Sequence, residues 1–205
     1  MKKRLLKNKL FYYFYKLLKI HRNKKPSLHF GEFGEDVLIN RIFKNKKNGM
    51  YIDVGCYHPY KGSLTAKLYN KNWNGINIDL SKTSIDLFNI VRRRDINLNV
   101  AISNFDGETS YYENSPINQQ NSLTKMNNEQ TKIKIKSYTL NSILKNNSIE
   151  MFDYLNIDVE GSELEVIEGI DLIKYHPSLI TIENNNLSLE DYLKDNVHNI
   201  LTSND

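Results

Sequence analysis

Hydrophobic and polar residues alternate along the chain in a pattern that predicts strands and helices in turn. Short apolar runs bounded by turn signals predict buried strands, and stretches with apolar residues three and four apart predict helices. The predicted strands lie at 50–54, 76–79, 96–102, 154–158 and 179–182. The main predicted helices cover 35–43, 63–71, 84–92, 140–144, 164–170 and 189–201. Because strands that alternate with helices favour right-handed crossovers, this order predicts an α/β fold with a mostly parallel sheet.

The helix predicted over 35–43 comes just before the first strand. Its apolar positions indicate that Val37, Leu38, Ile42 and Phe43 lie on one face and pack against the sheet.

The middle of the chain departs from the simple alternation. A short strand is predicted at 109–112, followed by a polar segment at 113–131 that is rich in Asn and Gln and predicts a mobile loop. Beyond it Ile133, Ile135 and Ser137 alternate with lysines, which predicts a strand with one face in solvent.

The first 25 residues are a separate, basic segment. Apolar residues at helical spacing predict an amphipathic helix; they are Leu6, Leu10, Tyr13, Phe14, Leu17 and Leu18. The segment holds ten Lys and Arg and no acid, so the rest of the chain carries 18 basic and 24 acidic residues, a net charge of −6. Two interpretations stay open: a helix lying on an anionic membrane surface, or a helix packed on its own domain with lysines in solvent. No apolar run approaches the roughly 20 residues of a membrane span, so we expect a cytoplasmic protein whose membrane contact, if any, is peripheral.

Composition narrows the class of protein further. With 40% hydrophobic and 25% charged residues, residues 26–205 fit one globular domain of ordinary size. The single cysteine, Cys56, excludes an intramolecular disulfide. Because this main domain is mildly acidic, nucleic acid is not expected as a partner.

Polar residues recur where the predicted strands end. The groups are Asp53-Val54-Gly55, Asp79, Asn99-Val100-Ala101, Asp158-Val159-Glu160-Gly161 and Glu183-Asn184. The carboxyl ends of parallel strands share one edge of a sheet, and ligands bind in the crevice beyond that edge. The sequence therefore predicts a ligand site built from these residues.

Each position has a specific chemistry available to it. Gly55 allows a ligand to approach the backbone closely, and Asp53 can hold an amino group directly or through water. Asp79 can accept hydrogen bonds from both hydroxyls of a ribose, and the alternative for it is helix capping. Asn99 can bind the amino edge of an adenine or have a structural role only, and Leu80 can cover the adenine face.

The segments YIDVGCYHP, SLTAKLYNKNWNGINID, NVAISNFDG and DYLNIDVEGSELEVIEGI together resemble the FkbM family of methyltransferases. The opening FGEFGEDVLINRIF is similar to the helix that precedes the first strand in that family, and the resemblance runs from about Phe33 to Glu183. It implies a Rossmann-like class I methyltransferase fold that binds S-adenosylmethionine and methylates a hydroxyl oxygen of a sugar, a glycan or a similar natural product.

The resemblance also implies roles for the residues at the strand ends. They are Asp53 and Gly55 in the first cofactor motif, Asp79 at the ribose, Asn99 facing the adenine, and Asp158 and Glu160 beside the reactive sulfonium.

A hydroxyl acceptor must lose a proton, so a base or a metal ion is expected near the methyl group. His58 and Asp158 are the candidate catalytic residues, although His58 can instead support the turn at Pro59. Asp158, Glu183 and Asn184 are candidate ligands for Mg²⁺, which prefers oxygen donors. The alternative for these three side chains is structural hydrogen bonding.

The end of the sequence departs from the family pattern. Class I methyltransferases normally finish with two more strands, and no apolar run follows 189–201 to form them. We therefore expect an incomplete sheet with an exposed edge, in a truncated chain or in a homo-oligomer that covers the edge.

Two other functions stay open at this point. One is a catalytically inactive, truncated methyltransferase-like protein that acts as a binding module. The other is an NAD-dependent oxidoreductase, but the first loop reads DVGCYHPYKG and lacks the G-x-G-x-x-G pattern of a dinucleotide site.

Overall fold

The computed structural model of the chain describes residues 9–23, 29–113, 121–123, 131–184 and 188–203. The helices are α1 (Lys9–Asn23), α2 (Glu35–Ile42), α3 (Ala66–Asn70), α4 (Lys82–Val91), α5 (Leu140–Asn146), α6 (Glu163–Glu168), α7 (Leu172–Tyr175), α8 (Leu189–Leu193) and α9 (Asn196–Thr202). The strands are β1 (Met50–Val54), β2 (Asn74–Ile78), β3 (Ile96–Leu98), β4 (Ala101–Ile102), β5 (Gly107–Glu113), β6 (Asn121–Ser122), β7 (Thr131–Tyr138), β8 (Tyr154–Ile157) and β9 (Leu179–Ile182).

The main sheet has five parallel strands in the order β3-β2-β1-β8-β9. Val54 pairs with Ile78 on one side and with Ile157 on the other, and Ile157 pairs with Ile182. Four strands therefore end at one level. The strand order reverses direction beside β1, which is the topological switch point where such sheets bind ligands. The predicted α/β fold with a mostly parallel sheet is confirmed.

Both faces of the central strands are buried, as continuous apolar runs in parallel strands require. Ile52, Ile76 and Leu155 have no exposed surface and pack in the larger core on one side of the sheet. Tyr51 and Tyr154 are also fully buried, and they belong to a smaller cluster that includes the aromatic residues Phe43 and Trp73.

The buried side of α2 differs from the predicted one. Of the four residues expected to face inward only Phe43 is buried, and the other three are exposed: Val37, Leu38 and Ile42. The inward stripe is Asp36, Ile39 and Phe43. The Asp36 carboxylate can be buried because it accepts a hydrogen bond from the Phe30 amide at 2.9 Å, so the prediction from hydrophobicity alone was wrong.

The strand predicted over 96–102 is two strands in two different sheets. β3 pairs with β2 in the main sheet, whereas β4 pairs with β7 in a second sheet of order β4-β7-β5-β6. Between them the Asn99 side-chain amide donates hydrogen bonds to the carbonyl oxygens of Asp79 and Leu80, at 2.9 and 2.8 Å. These bonds fix the point at which the chain leaves the main sheet.

The second sheet confirms the predicted strand with one wet face. Lys132, Lys134 and Lys136 of β7 are exposed, and the residues between them are at least half-buried. The loop predicted over 113–131 contains β6, and its remaining part, 114–120 and 124–130, lies outside the described residues.

The helix predicted over 189–201 is divided into α8 and α9. Asp195 separates them because its carboxylate accepts a hydrogen bond from the Val197 amide at 2.8 Å and caps α9. In the described part of the chain the main sheet ends at β9.

A buried guanidinium ties β1 to the loop that follows it. Arg92, just after α4, is 1% exposed. Its Nη1 donates to Thr65 Oγ1 at 2.7 Å and to the Tyr51 hydroxyl at 3.2 Å, and its Nη2 donates to Pro59 O at 2.6 Å and to Ser63 Oγ at 2.7 Å.

Two buried carboxylates offset this positive charge through shared hydroxyls. Asp53 accepts a hydrogen bond from Thr65 at 2.7 Å, and Asp95 accepts one from Tyr51 at 2.5 Å. Burial raises the pKa of both carboxyls, while these hydrogen bonds and the charge of Arg92 lower it. Removing the cation would leave buried acceptors and charges without compensation.

Replacing Arg92 with Leu should therefore lower the free energy of unfolding by about 3–5 kcal/mol, the range for breaking a buried charge pair. Arg93→Leu is the matched control because Arg93 is exposed and its Nε donates to the Ile90 carbonyl in the last turn of α4. Urea denaturation of both variants measures the effect. Equal losses of stability would show that the Arg92 network does not hold this part of the fold.

Candidate active site

A cavity of about 1210 Å³ opens at the carboxyl edge of the main sheet. Acids from four neighbouring strand ends line it, and they are Asp53, Asp79, Asp158 and Glu183. Its volume exceeds the roughly 300–1,000 Å³ of typical small-molecule pockets. The cavity can therefore hold two small molecules side by side.

The acids give this cavity one sign of charge. Nine Asp and Glu residues and a single Lys are among the described residues that line it. A cleft lined by one sign of charge concentrates ligands of the other sign. The cavity therefore favours positively charged or neutral ligands over anions.

Gly55 is required by the chain's own packing. Its φ of +84° is in the left-handed region, and a Cβ there would lie 1.7 Å from the Asp158 carbonyl oxygen. Its amide donates to the Ile78 carbonyl at 2.9 Å. Gly55 lines the cavity as predicted, but the atom that excludes a side chain belongs to the end of β8.

Asp53 lies at the buried end of β1 and is 2% exposed. One of its oxygens accepts from Asn156 Nδ2 at 2.9 Å and the other from Thr65 Oγ1 at 2.7 Å. Thr65 precedes α3 but makes no side-chain cap for it, since its hydroxyl is turned to Asp53. Asp53 therefore joins β1, β8 and α3 beneath the cavity.

Asp79 is held by two backbone amides. Its Oδ2 accepts from the Tyr57 amide at 2.8 Å and its Oδ1 from the Ser81 amide at 2.6 Å. The N-cap of α4 is Ser81, whose Oγ accepts from the Ser84 amide at 3.3 Å, so Asp79 does not cap that helix. Leu80 lines the cavity beside it.

Tyr57 is held in a rare backbone conformation by this contact. Its φ is +48°, a left-handed value that residues with a side chain seldom adopt. The hydrogen bond to Asp79 fixes the loop after β1 in this conformation, with Tyr57 in the cavity wall.

Two of the predicted site residues do not line the cavity in the described structure. Asn99 holds the end of β2 through the two hydrogen bonds that its side-chain amide donates. His58 has no exposed surface, and its Nδ1 accepts hydrogen bonds from the Tyr60 and Lys61 amides, each at 3.0 Å. The geometry thus agrees with the alternative interpretation, in which His58 supports the turn at Pro59.

Asp158 is surrounded by other acids at the end of β8. Burial raises the pKa of its carboxyl to about 7, together with the charge of Glu183, a hydrogen bond with Glu183 and the charges of Glu160 and Asp53. Burial and the charges of Glu183 and Glu163 also raise the pKa of Glu160. Close carboxylates cannot all ionise, so this cluster holds a proton near neutral pH.

Glu160 completes this cluster in a strained conformation. Its φ is +58°, and it lines the cavity next to Gly161. Strain of this kind costs on the order of 1–3 kcal/mol and concentrates at functional sites.

The predicted Mg²⁺ site is not supported. Asp158, Glu183 and Asn184 all line the cavity, but Asp158 and Glu183 are hydrogen-bonded to each other. Among the residues that the structure describes, no group of three or more His, Cys, Asp or Glu is placed to hold a metal ion.

Sequence reasoning missed Asn156 and Thr65, which donate to Asp53, and Arg92, which donates to Thr65. Asn156 carried a usable signal, because an amide within an otherwise apolar buried strand needs a polar partner. Arg92 carried none, since it is the first of three consecutive arginines, a run typical of a solvated surface.

Replacing Gly55 with Ala should destabilise the fold far more than replacing Gly34. Both glycines are left-handed, with φ near +85°, but a Cβ on Gly34 would meet nothing within 4 Å. Gly34→Ala therefore measures the backbone cost alone, about 1–2 kcal/mol. Gly55→Ala adds a collision with a backbone carbonyl that cannot rotate away. Chemical denaturation compares the two, and equal losses would show that the close contact with Asp158 is not a constraint.

Comparison with known proteins places this arrangement in a family. The model of a family described as the methyltransferase FkbM domain matches residues 53–203. The match starts at Asp53 and takes in the ends of β1, β2, β8 and β9 that form the cavity. Searches of curated proteins and of solved structures found no match. Since the family model covers well over half of the residues of this chain, the chain belongs to the FkbM methyltransferase family.

Proposed function

We propose that this chain is an S-adenosylmethionine-dependent methyltransferase that methylates a hydroxyl oxygen of a sugar, a glycan or a similar natural product. Membership of the family supports methyl transfer. One observation carries the finer proposal: carboxylates from four adjacent strand ends line one cavity, and one of them has a pKa near neutrality.

The charge of the cavity fits a cationic methyl donor. S-adenosylmethionine carries a positively charged sulfonium and, when bound, supplies the methyl group to be transferred. The acids that line the cavity attract such a cation, and they oppose a dinucleotide such as NAD because its pyrophosphate is anionic. This contrast favours the methyltransferase over the oxidoreductase.

Asp79 and Leu80 are the residues we assign to the nucleoside. Asp79 lines the cavity, and its carboxylate, which the amides of Tyr57 and Ser81 hold, can accept hydrogen bonds from ribose hydroxyls. Those amides hold the carboxylate in one orientation before a ligand binds. Leu80 adds an apolar surface beside it.

Asp158 is the residue we assign to the acceptor's proton. Transfer would break the bond between the methyl carbon and the sulfonium sulfur, leaving a neutral thioether, and would form a bond from that carbon to the acceptor oxygen. The hydroxyl proton must then leave, and a carboxylate with a pKa near 7 is matched to receive it at neutral pH. Glu183 is a positioning residue, since its hydrogen bond orients Asp158 and its charge keeps the Asp158 pKa high. Asp53 supports the ends of β1 and β8 through its hydrogen bond with Asn156.

Asp79→Asn should weaken S-adenosylmethionine binding by one to two orders of magnitude, because each charged hydrogen bond to a ribose hydroxyl contributes about 1.5–3 kcal/mol. The matched control is Asp106→Asn. Asp106 also accepts a backbone amide, from Thr139 at 2.7 Å, and a hydroxyl, from Ser142 at 2.5 Å, but it does not line the cavity.

Isothermal titration calorimetry of both variants measures the affinity, and thermal unfolding shows whether each still folds. An unchanged affinity in folded Asp79→Asn would remove Asp79 from the ribose site. Titration of the unmodified protein with NAD distinguishes the alternative functions. Binding of NAD without binding of S-adenosylmethionine would favour an oxidoreductase. Binding of neither molecule would favour an inactive binding module.

Asp158→Asn should lower kcat/KM for methyl transfer by about 10²–10⁴-fold, the usual contribution of a general base. In the unmodified enzyme kcat/KM should rise with pH through about 7 and level off above it, since the carboxyl must lose its proton before it can accept another. Transfer of a labelled methyl group to a panel of neutral sugars and glycans measures the rate.

Glu183→Gln provides the test that does not depend on the acceptor. Because it removes a negative charge beside Asp158, it should move the pKa of Asp158 down toward its ordinary value of about 4. Carboxyl-carbon NMR should show a group that titrates near pH 7 in the unmodified protein, shifts to lower pH in Glu183→Gln and is missing in Asp158→Asn. A titration that is the same in all three proteins would end the assignment of Asp158 as the base.

A further inference from the structure

Helix α1 exposes several of its large apolar residues. Phe14, Leu17 and Leu18 are 58%, 55% and 45% exposed. Their spacing of three and four residues places them on one stripe of the helix. A surface helix normally buries this stripe against the core, so α1 is reversed with respect to the usual arrangement.

The opposite side of α1 is fixed to the domain by a charged residue. Lys16 is 4% exposed, and its Nζ lies 3.4 Å from a carboxylate oxygen of Asp86 on α4. This buried ion pair sets which way the helix is rotated. The helix therefore contacts its own domain, but Lys16 lies in that contact instead of in solvent.

The charge around α1 identifies the kind of surface it fits. Residues 1–25 carry ten Lys and Arg and no Asp or Glu, whereas the rest of the chain has a net charge of −6. Apolar residues flanked by basic ones favour an anionic lipid surface, where both kinds of residue contribute to binding. Contact between the α1 helices of two copies is disfavoured because it would bring two such basic segments together.

The length of α1 sets its orientation at a bilayer. Its 15 residues span about 22 Å at 1.5 Å per residue, less than the roughly 30 Å of the hydrocarbon core. None of the described helices is long and apolar enough to cross a membrane.

We propose that α1 docks the protein on an anionic lipid bilayer, lying parallel to the surface with Phe14, Leu17 and Leu18 inserted at the boundary between headgroups and acyl chains. Docking in this way places the cavity near the bilayer. Burial raises the pKa of Tyr57, a residue of the cavity wall, to about 12, and Tyr15 of α1 is close enough to add to this shift.

Sedimentation of the full-length protein with lipid vesicles tests the proposal. Binding to vesicles of phosphatidylcholine with one third phosphatidylglycerol should exceed binding to pure phosphatidylcholine by about tenfold or more, and 0.5 M NaCl should weaken it. The double variant Phe14→Ser, Leu17→Ser should reduce binding to the anionic vesicles by about tenfold or more.

The matched control is the double variant Leu38→Ser, Ile173→Ser. It removes two equally exposed apolar side chains, 63% and 66% exposed, from α2 and α7, and it should leave vesicle binding unchanged. Thermal unfolding and S-adenosylmethionine titration of each variant show that the domain is intact, and they keep this test separate from the proposed catalytic function.

Two results would overturn the proposal. One is equal vesicle binding by the unmodified protein and the Phe14, Leu17 variant, or no binding by either. The other is a concentration-dependent dimer, seen by analytical ultracentrifugation, that the α1 variant alone loses, which would make a second copy the occupant of this surface.

Discussion

The common register of β1, β2 and β8 brings three strand ends to one level, and the carboxylates at these ends line one cavity. Like charges gathered in one cavity repel each other, and more so where water is partly excluded. The structure meets this repulsion differently at each strand. Asp53 receives hydrogen bonds from Thr65 and Asn156 near the charge of Arg92, Asp79 receives two backbone amides, and the group around Asp158 retains a proton.

The three environments give these acids different chemical properties. Burial raises the pKa of Asp53 while its hydrogen bonds and the Arg92 charge oppose that rise, and two amides hold Asp79 as an oriented acceptor. Every cause that acts on Asp158 raises its pKa instead. Acids whose environments differ in this way take different roles in catalysis: the acid that exchanges a proton near neutral pH fits the base, and an oriented carboxylate fits a binding group. The different environments at one sheet edge thus distinguish the proposed binding groups from the proposed base.

The parts of this arrangement that follow from local pattern could be predicted from the sequence. The apolar runs predicted the exact bounds of β1 and β9. The polar positions at the strand ends predicted where the cavity lies, because a parallel sheet brings the carboxyl ends of its strands together. Features set by long-range contacts could not be predicted. Asp36 lies on the inner face of α2, where an apolar residue is expected, and Lys67 of α3 pairs with it at 3.4 Å; the buried Arg92 looks in the sequence like any exposed arginine. His58 had two interpretations of equal standing until the amides of its own turn were placed against Nδ1.

The segregation of charge along the chain links the two proposals. The cavity is acidic and the first 25 residues are basic, so a cationic cofactor and an anionic surface are attracted to different parts of one molecule. An acidic cavity held close to an anionic bilayer also experiences repulsion from it, which falls off within about a Debye length of 8–10 Å. Docking through α1 therefore favours an acceptor whose hydroxyl stands away from any phosphate group of the lipid layer. A neutral sugar carried beyond the headgroups meets that condition, whereas a hydroxyl directly beside a phosphate does not.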